Sequence, residues 1–103
     1  MDDKFQFIRQ KLSCADQLAQ LAEEATELAH AALKLERVVR GTNPTPVTQI
    51  EATVKLCEET ADVLNCLEVL NIWPGTESIN IIQSEKMERW VERLKERVIQ
   101  HGS

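Results

Sequence analysis

The sequence predicts an all-α fold, namely a compact bundle of three long helices and a short N-terminal helix. Aromatic residues make up only 4% of the 103 residues, and there are three glycines and three prolines. This composition is poor in the residues that build sheets and their turns. Apolar side chains also recur at helical spacing over long stretches that two Pro-containing segments separate. With 43% apolar residues, we expect one domain that spans residues 1–103.

The first two helices follow from apolar spacing and from their end signals. Phe5–Lys11 predicts a short opening helix. Ser13 or Asp16 can cap the next helix, which should run to about Arg40 because Gly41 is a typical helix stop. The segment GTNPTPV, which begins at that glycine, contains two prolines and no periodicity, and it predicts a loop.

The third and fourth helices are bounded in the same way. Thr48 followed by Glu51 fits a capping box, which opens a third helix that should reach about Leu70. Residues 71–78 contain a proline and a glycine and predict a turn. The last helix should cover residues 79–100.

Apolar residues mark the faces that these helices bury. The predicted stripe of the second helix consists of Leu18, Leu21, Ala25, Leu28, Ala32, Leu35 and Val39. The third helix is apolar on two sides: Ala52, Leu56, Val63, Leu67 and Leu70 form one, and Ile50, Cys57, Ala61 and Leu64 form much of the other. Two apolar sides are more than a lone small bundle needs to bury, so this helix predicts a partner, and a second copy of the chain fits that role.

Charge and composition exclude several classes of function. Twelve Lys and Arg against seventeen Asp and Glu leave a net charge of −5, which argues against a nucleic-acid polymer as partner. No apolar run approaches the roughly 20 residues that cross a bilayer, and the start MDDKFQFIRQ does not resemble a signal peptide. Three cysteines without CxxC spacing are expected to be reduced core residues. We therefore expect a cytoplasmic protein without a membrane partner.

Two acidic pairs lie on helical faces that border apolar residues. Glu24 and Glu27 point to the same side of the second helix, as do Glu59 and Asp62 on the third, because residues three apart lie about 60° apart around the axis. Four carboxylates brought together would repel one another unless a cation neutralised them, and Mg²⁺ prefers such oxygen ligands. Mn²⁺ is a possible substitute. The alternative is that both pairs are ordinary solvated helix faces.

The arrangement EExxE on one helix and ExxD on the next resembles the MazG-like all-α nucleotide pyrophosphohydrolases. The matching segments are QLAQLAEEATELAHAALKLER and EETADVLNCLEVL, and KMERWVER in the last helix looks like the family's basic segment. The resemblance covers about residues 16–97. One departure is the 31 residues between Glu27 and Glu59, somewhat more than expected for the family, which a longer loop at 41–48 would absorb.

The resemblance implies a chemistry and a role for each matching acid. In that family the acids hold Mg²⁺, the metal binds a nucleoside triphosphate, and water releases a nucleoside monophosphate and pyrophosphate. By position, Glu24, Glu27, Glu59 and Asp62 become the metal ligands. Glu23 becomes the candidate that orients or deprotonates the water. Family members pair or form dimers of dimers, so the resemblance also implies a homodimer or homotetramer.

Basic residues of the last helix are candidates for binding phosphate. Four of them fall within an arc of about 80°: Lys86, Arg89, Arg93 and Arg97. Together with the resemblance, this stripe favours Lys86, Arg89 and Arg93 as contacts to the triphosphate. The alternative is a solvated face on which Glu85 pairs with Arg89. Asn65, one turn beyond Asp62, is a candidate for a phosphate or sugar contact, or for an interhelical hydrogen bond.

Two rival functions remain open from the sequence. A di-metal carboxylate redox bundle uses two Glu-x-x-His pairs. The chain supplies one pair in Glu27 and His30, whereas His101 stands alone near the end. The other rival is a non-catalytic helical module that mediates homo-oligomeric interactions, which the two apolar sides of the third helix would also explain.

Overall fold

The computed structural model confirms the all-α class. It describes the backbone of residues 2–42, 47–72 and 76–100 and, of these, the side chains of residues 4–42, 47–72 and 76–97. Four α-helices account for most of this part of the chain: α1 (Asp2–Lys11), α2 (Cys14–Arg40), α3 (Gln49–Val69) and α4 (Glu77–Gln100). None of these helices combines the length and apolar character that crossing a membrane requires. His101 and parts of both predicted loops lie outside the described residues.

Helix ends lie close to the predicted positions because local hydrogen bonds define them. Ser13 rather than Asp16 caps α2, since its Oγ accepts a hydrogen bond from the Asp16 amide at 3.1 Å. Gly41 adopts a left-handed conformation with φ of 76°, and the amide groups at this end return to carbonyls of the last turn. Thr48 caps α3 by accepting from the Glu51 amide at 3.1 Å. Both predicted caps at Gly41 and Thr48 are confirmed.

Arg9 joins α1 to the carboxyl end of α3. Its Nε donates to the Val69 carbonyl at 2.9 Å, and its Nη2 donates to the Glu68 carbonyl at 2.7 Å. The last carbonyls of a helix lack intrahelical partners and carry partial negative charge, so a guanidinium satisfies both requirements. This contact places α1 beside the end of α3.

The faces that α2 and α3 bury follow a seven-residue repeat. The buried or partly buried positions that follow this repeat are Leu21, Glu24, Leu28, Ala31, Leu35 and Val38 on α2, and Ala52, Leu56, Glu59, Val63, Cys66 and the C-cap residue Leu70 along α3. We call these two rows the seams. A repeat of seven keeps one row of side chains against a neighbouring helix over many turns, as in coiled coils. Each seam contains one glutamate among its apolar residues.

The predicted stripe of α2 is wrong at every second position. Leu18, Ala25, Ala32 and Val39 are exposed, whereas Glu24, Ala31 and Val38 lie on the seam. The two rows differ by one residue, or about 100° around the axis, and both contain apolar side chains. Packing against α3 selects the row that includes Glu24. The stripe predicted for α3 is confirmed, since all five of its residues are buried or partly buried.

Many large apolar side chains remain uncovered in the single chain. The second apolar side of α3 is exposed, with Ile50 at 77%. Cys14 and Cys57 are also exposed, so the expectation that all three cysteines are core residues is wrong for these two. Within the chain, contacts form two units, Met1–Asn71 and Ile72–Ser103, the second of which contains α4. The single domain over residues 1–103 stays a prediction.

Candidate metal centre

Three of the predicted ligands come together where α2 meets α3. Glu24, Glu59 and Asp62 each offer a carboxylate oxygen, and these oxygens all lie within 4.8 Å of one another. Glu24 and Glu59 belong to the two seams, and Asp62 lies one turn after Glu59 on α3. We call these three residues the carboxylate cluster. Helix packing therefore brings together two acidic motifs that are 31 residues apart in the sequence.

The three residues of the cluster differ in burial, which decreases from the helix interface towards the surface. Glu59 is buried, Glu24 is partly buried, and Asp62 is exposed. Moving a carboxylate out of water costs free energy unless a partner compensates for the lost hydration. Glu59 is also the single buried charged residue in the described part of the chain. The cluster is thus anchored in the interface and open to solvent on one side.

Lys55 compensates for the burial of Glu59. Its Nζ lies 2.9 Å from Glu59 Oε1 and 4.0 Å from Glu58 Oε2. The hydrogen bond to Glu59, together with the charge of that residue, raises the pKa of Lys55. Lys55 is accordingly a cation in this environment, and it is the ammonium group that pairs with the cluster.

The position of Glu24 on a seam destabilises the ionised form of its carboxylate. Partial desolvation raises its pKa above the ordinary value of 4.5, and the charges of Asp62, Glu59 and Glu23 raise it further. Gln20 acts in the opposite direction, because its Nε2 donates a hydrogen bond to Glu24 Oε1 at 2.9 Å. The ionised form of Glu24 is therefore less favourable here than in water.

The donor set fits a hard divalent cation. Mg²⁺ takes oxygen ligands at about 2.1 Å, so opposite ligands of an octahedral ion are about 4.2 Å apart. Of three ligands at most one pair can be opposite, and adjacent ligands are about 3.0 Å apart. The oxygens of the carboxylate cluster lie within 4.8 Å of one another, so side-chain rotation would have to bring them closer around a bound ion. Two helices supply the acids, and the solvent-exposed side leaves room for water and phosphate oxygens. Mg²⁺ and Mn²⁺ both accept such ligands.

Glu27 and Glu23 lie near the cluster without joining it. Both side chains are exposed, and Glu27 is not part of the group of described residues whose ligand atoms lie within 4.8 Å. The charge of Glu27 nevertheless acts on Lys55, and that of Glu23 acts on Glu24. Their predicted roles, as fourth ligand and as the group that orients water, stay predictions.

A small apolar cavity adjoins the cluster. It has a volume of about 110 Å³, and Gln20, Asn65 and Cys66 are among its lining residues. Desolvation raises the pKa of the Cys66 thiol, as do the nearby charges of Glu24 and Asp62. The predicted candidate Asn65 is thus exposed beside this cavity, one turn beyond Asp62, and its contact to a phosphate or sugar stays a prediction.

The predicted phosphate contacts share one groove on α4. Lys86, Arg89 and Arg93 line it together with Trp90, and the groove has a volume of about 310 Å³. In the part of α4 whose side chains are described, none of the three cations forms an ion pair within 4.0 Å, so the Glu85–Arg89 pair of a solvated face is not formed. The three side chains thus line one groove, and their contact with phosphate stays a prediction.

Sequence reasoning missed two residues that contact the acids. Lys55 precedes Glu59 by four residues, and Gln20 precedes Glu24 by four. A polar residue one helical turn before a seam glutamate is the signal that would have identified both. This signal can be used only when the seam positions are known. The predicted stripe of α2 did not include Glu24, so the signal could not be applied there.

No protein-family model, curated protein or solved structure matches this chain. The resemblance to MazG-like proteins therefore rests on the two acidic motifs and the basic segment. The geometry of the carboxylate cluster adds an observation that does not depend on that resemblance, because it follows from the packing of α2 and α3.

Proposed function

We propose that this chain is a Mg²⁺-dependent nucleoside triphosphate pyrophosphohydrolase of the MazG-like type that acts in the cytoplasm. It would cleave the bridge between the α and β phosphates of a ribo- or deoxyribonucleotide with one water, and release a nucleoside monophosphate and pyrophosphate. One observation carries the proposal: glutamates occupy apolar positions on both seams, and with Asp62 they bring three carboxylate oxygens within 4.8 Å.

A purely structural role explains this arrangement poorly. Glu24 and Glu59 stand where neighbouring turns carry Leu, Ala or Val, and apolar residues at these positions would stabilise the helix pair at no electrostatic cost. The three carboxylates together with the Lys55 ammonium leave two negative charges at the interface. A divalent cation neutralises that excess, which makes a cation site the simplest explanation for retaining the acids.

The cluster residues would bind and orient the reactants. When bound, Mg²⁺ supplies positive charge that offsets the triphosphate and makes water more acidic. Glu24, Glu59 and Asp62 would hold the ion from two helices, which fixes its position, and Glu27 would complete the set. Glu23, beside Glu24 and exposed, would orient or deprotonate the attacking water. The rate enhancement then comes from positioning and charge neutralisation.

The remaining candidates would bind the nucleotide itself. Lys86, Arg89 and Arg93 carry the charge that a triphosphate and the departing pyrophosphate require, and guanidinium groups match phosphate geometry. Asn65 would donate a hydrogen bond to a phosphate or to the sugar.

Exposed apolar surfaces support a homo-oligomeric enzyme, either a homodimer or a dimer of dimers. Ile50 and Leu64 are exposed on the second side of α3, and Met87, Trp90 and Leu94 are exposed on α4. The same surfaces would suit a non-catalytic interaction module, which is the second candidate. The redox di-metal bundle has less support, because in the described residues the carboxylate cluster includes no histidine.

Product analysis tests the proposal. The full chain should be incubated with common and modified nucleoside triphosphates in Mg²⁺, in Mn²⁺ and in a chelator. We expect pyrophosphate and a nucleoside monophosphate from at least one substrate, with no turnover in the chelator. Orthophosphate as the only product, or no hydrolysis of any substrate, would overturn the proposal and leave the interaction module as the better explanation.

A further inference from the structure

Lys55 is a solvent-exposed lysine whose ammonium group pairs with the buried carboxylate of Glu59. Its Nζ lies 2.9 Å from Glu59 Oε1, although the side chain of Lys55 is 59% exposed and that of Glu59 only 8%. The lysine thus lies mostly in solvent while its ammonium group contacts the interior end of the carboxylate cluster. Such a side chain can leave the contact without any change in the packing of α2 and α3.

Local helix energetics do not explain the choice of partner. Lys55 has a glutamate on each side at a spacing of four, Glu51 before it and Glu59 after it. The pair in which Glu precedes Lys is the more favourable one in a helix. Among the described side chains Lys55 nevertheless pairs with Glu59 and Glu58, and not with Glu51. The negative charge of the carboxylate cluster therefore decides the partner of Lys55, and it outweighs the pairing preference of an isolated helix.

A divalent cation at the cluster competes with this contact. Both the ammonium group and the ion are attracted to the Glu59 carboxylate, and they repel each other. We propose that Lys55 is an internal counter-ion that neutralises Glu59 in the metal-free protein and is displaced by the divalent ion, so that Lys55 sets the affinity for the ion. This inference rests on the proposed metal site.

Removing the charge of Lys55 should therefore tighten ion binding. Lys55→Gln keeps much of the side-chain length and a similar helix propensity, so the helix itself should tolerate the change. We expect divalent ions to bind between about three-fold and ten-fold more tightly, because one competing charge near a partly buried site is lost. Lys55→Arg keeps the positive charge and should stay within about two-fold of the wild type.

Direct ion binding to the full chain, without nucleotide, is the measurement that tests this. Mn²⁺ is the probe, since its free form can be quantified by electron paramagnetic resonance, and Mg²⁺ is then added as a competitor. Lys95→Gln is the matched control. Lys95 pairs with Glu92 at 3.8 Å, both side chains are 67% exposed, and the substitution changes the net charge by the same amount.

The metal-free protein gives a second readout. In chelator, Lys55→Gln should lower the melting temperature, because the carboxylate cluster loses its counter-ion, whereas Lys95→Gln should leave it unchanged within about 1 °C. Adding Mn²⁺ should raise the melting temperature of Lys55→Gln by more than that of the wild type, in line with its tighter binding.

The outcomes separate this inference from the proposed function. If the wild type binds Mn²⁺ and Lys55→Gln binds it equally or more weakly, Lys55 is not a competitor, and the metal site itself still stands. If Lys95→Gln tightens binding as much as Lys55→Gln, a general charge effect replaces the proposal. If the wild type binds no divalent ion at all, the metal site fails, and the role of Lys55 fails with it.

Discussion

Glu24 of α2 and Glu59 of α3 face each other across the helix interface, with carboxylate oxygens that lie within 4.8 Å of one another. Apolar residues occupy the neighbouring positions along both seams. Like charges at this separation repel, and partial burial strengthens the repulsion. This repulsion lowers the stability of the fold at the helix interface, and a cation at the proposed metal site would relieve it.

Asp62→Asn separates a metal site from a structural role. The change keeps the shape of the side chain and removes its charge, so turnover at saturating Mg²⁺ should fall by about 100-fold or more because a metal ligand is lost. The melting temperature in chelator should stay the same or rise, since Asp62 is exposed and its repulsion of Glu24 is relieved. Both quantities are measured on the same preparation.

Glu58→Gln is the matched control for this test. Glu58 lies on the same helix beside Glu59, but its side chain is 62% exposed and it is not part of the carboxylate cluster. We expect wild-type turnover and a wild-type melting temperature. An Asp62→Asn protein that remains active but melts at a lower temperature would falsify the assignment of the metal site.

Glu24→Gln should show a pH-dependent gain in stability. Partial desolvation and the charge of Asp62 raise the pKa of Glu24 above 4.5, so the unfolded chain ionises this group more readily than the folded chain does. The contribution of Glu24 to the free energy of unfolding therefore decreases as pH rises through and above 4.5. In chelator, the variant should melt above the wild type at pH 7, and the difference should shrink towards pH 4.5.

In the presence of divalent ions, the wild type should melt above Glu24→Gln, the reverse of the order in chelator. At pH 7 in excess Mn²⁺ the wild type gains stability by binding the ion, while Glu24→Gln has lost a ligand and gains less. Thermal melts across pH, with and without the ion, make the measurement. A difference in chelator that does not change with pH would mean that ionisation of Glu24 is not its source.

Arg9→Gln should destabilise the fold independently of any metal. The substitution removes the two hydrogen bonds to the Glu68 and Val69 carbonyls, and the cost should be about 1–3 kcal/mol in the free energy of unfolding. Urea unfolding monitored by circular dichroism measures it. The control Arg40→Gln removes an exposed ion pair with Glu36 and should cost about 0.5 kcal/mol or less. Equal losses in the two variants would contradict the role of Arg9.

Ile50→Lys should disrupt assembly while leaving the helices folded. Ile50 is 77% exposed in the single chain, so a lysine there meets solvent in the monomer and an apolar surface in an oligomer. Light scattering should give a multiple of 11.7 kDa for the wild type and a lower mass for the variant. Gln49→Lys adds the same charge at an adjacent exposed position and should leave the mass unchanged. A wild-type monomer at micromolar concentration would contradict the prediction.

The sequence by itself determined the helical class and the helix ends. The helical class follows from the small number of aromatic residues and glycines and from the helical spacing of the apolar residues. Ser13, Gly41 and Thr48 define the ends through hydrogen bonds to residues within five positions along the chain. Interactions of such short range depend on the local sequence, and they can therefore be predicted without knowing which helices pack together. The two acidic motifs could be identified for the same reason, because the spacing of acids within one helix depends only on the local sequence.

Only the tertiary structure decided which face of α2 is buried and which acids meet. The rows containing Ala25 and Ala31 both present apolar residues at helical spacing, and packing against α3 selects the row that also contains Glu24. The pairing of Lys55 with Glu59 also depends on the tertiary structure, because the preference of an isolated helix favours Glu51, which precedes the lysine by four residues. Glu59 prevails because its burial between the helices removes it from water, and burial of that kind exists only after the chain has folded.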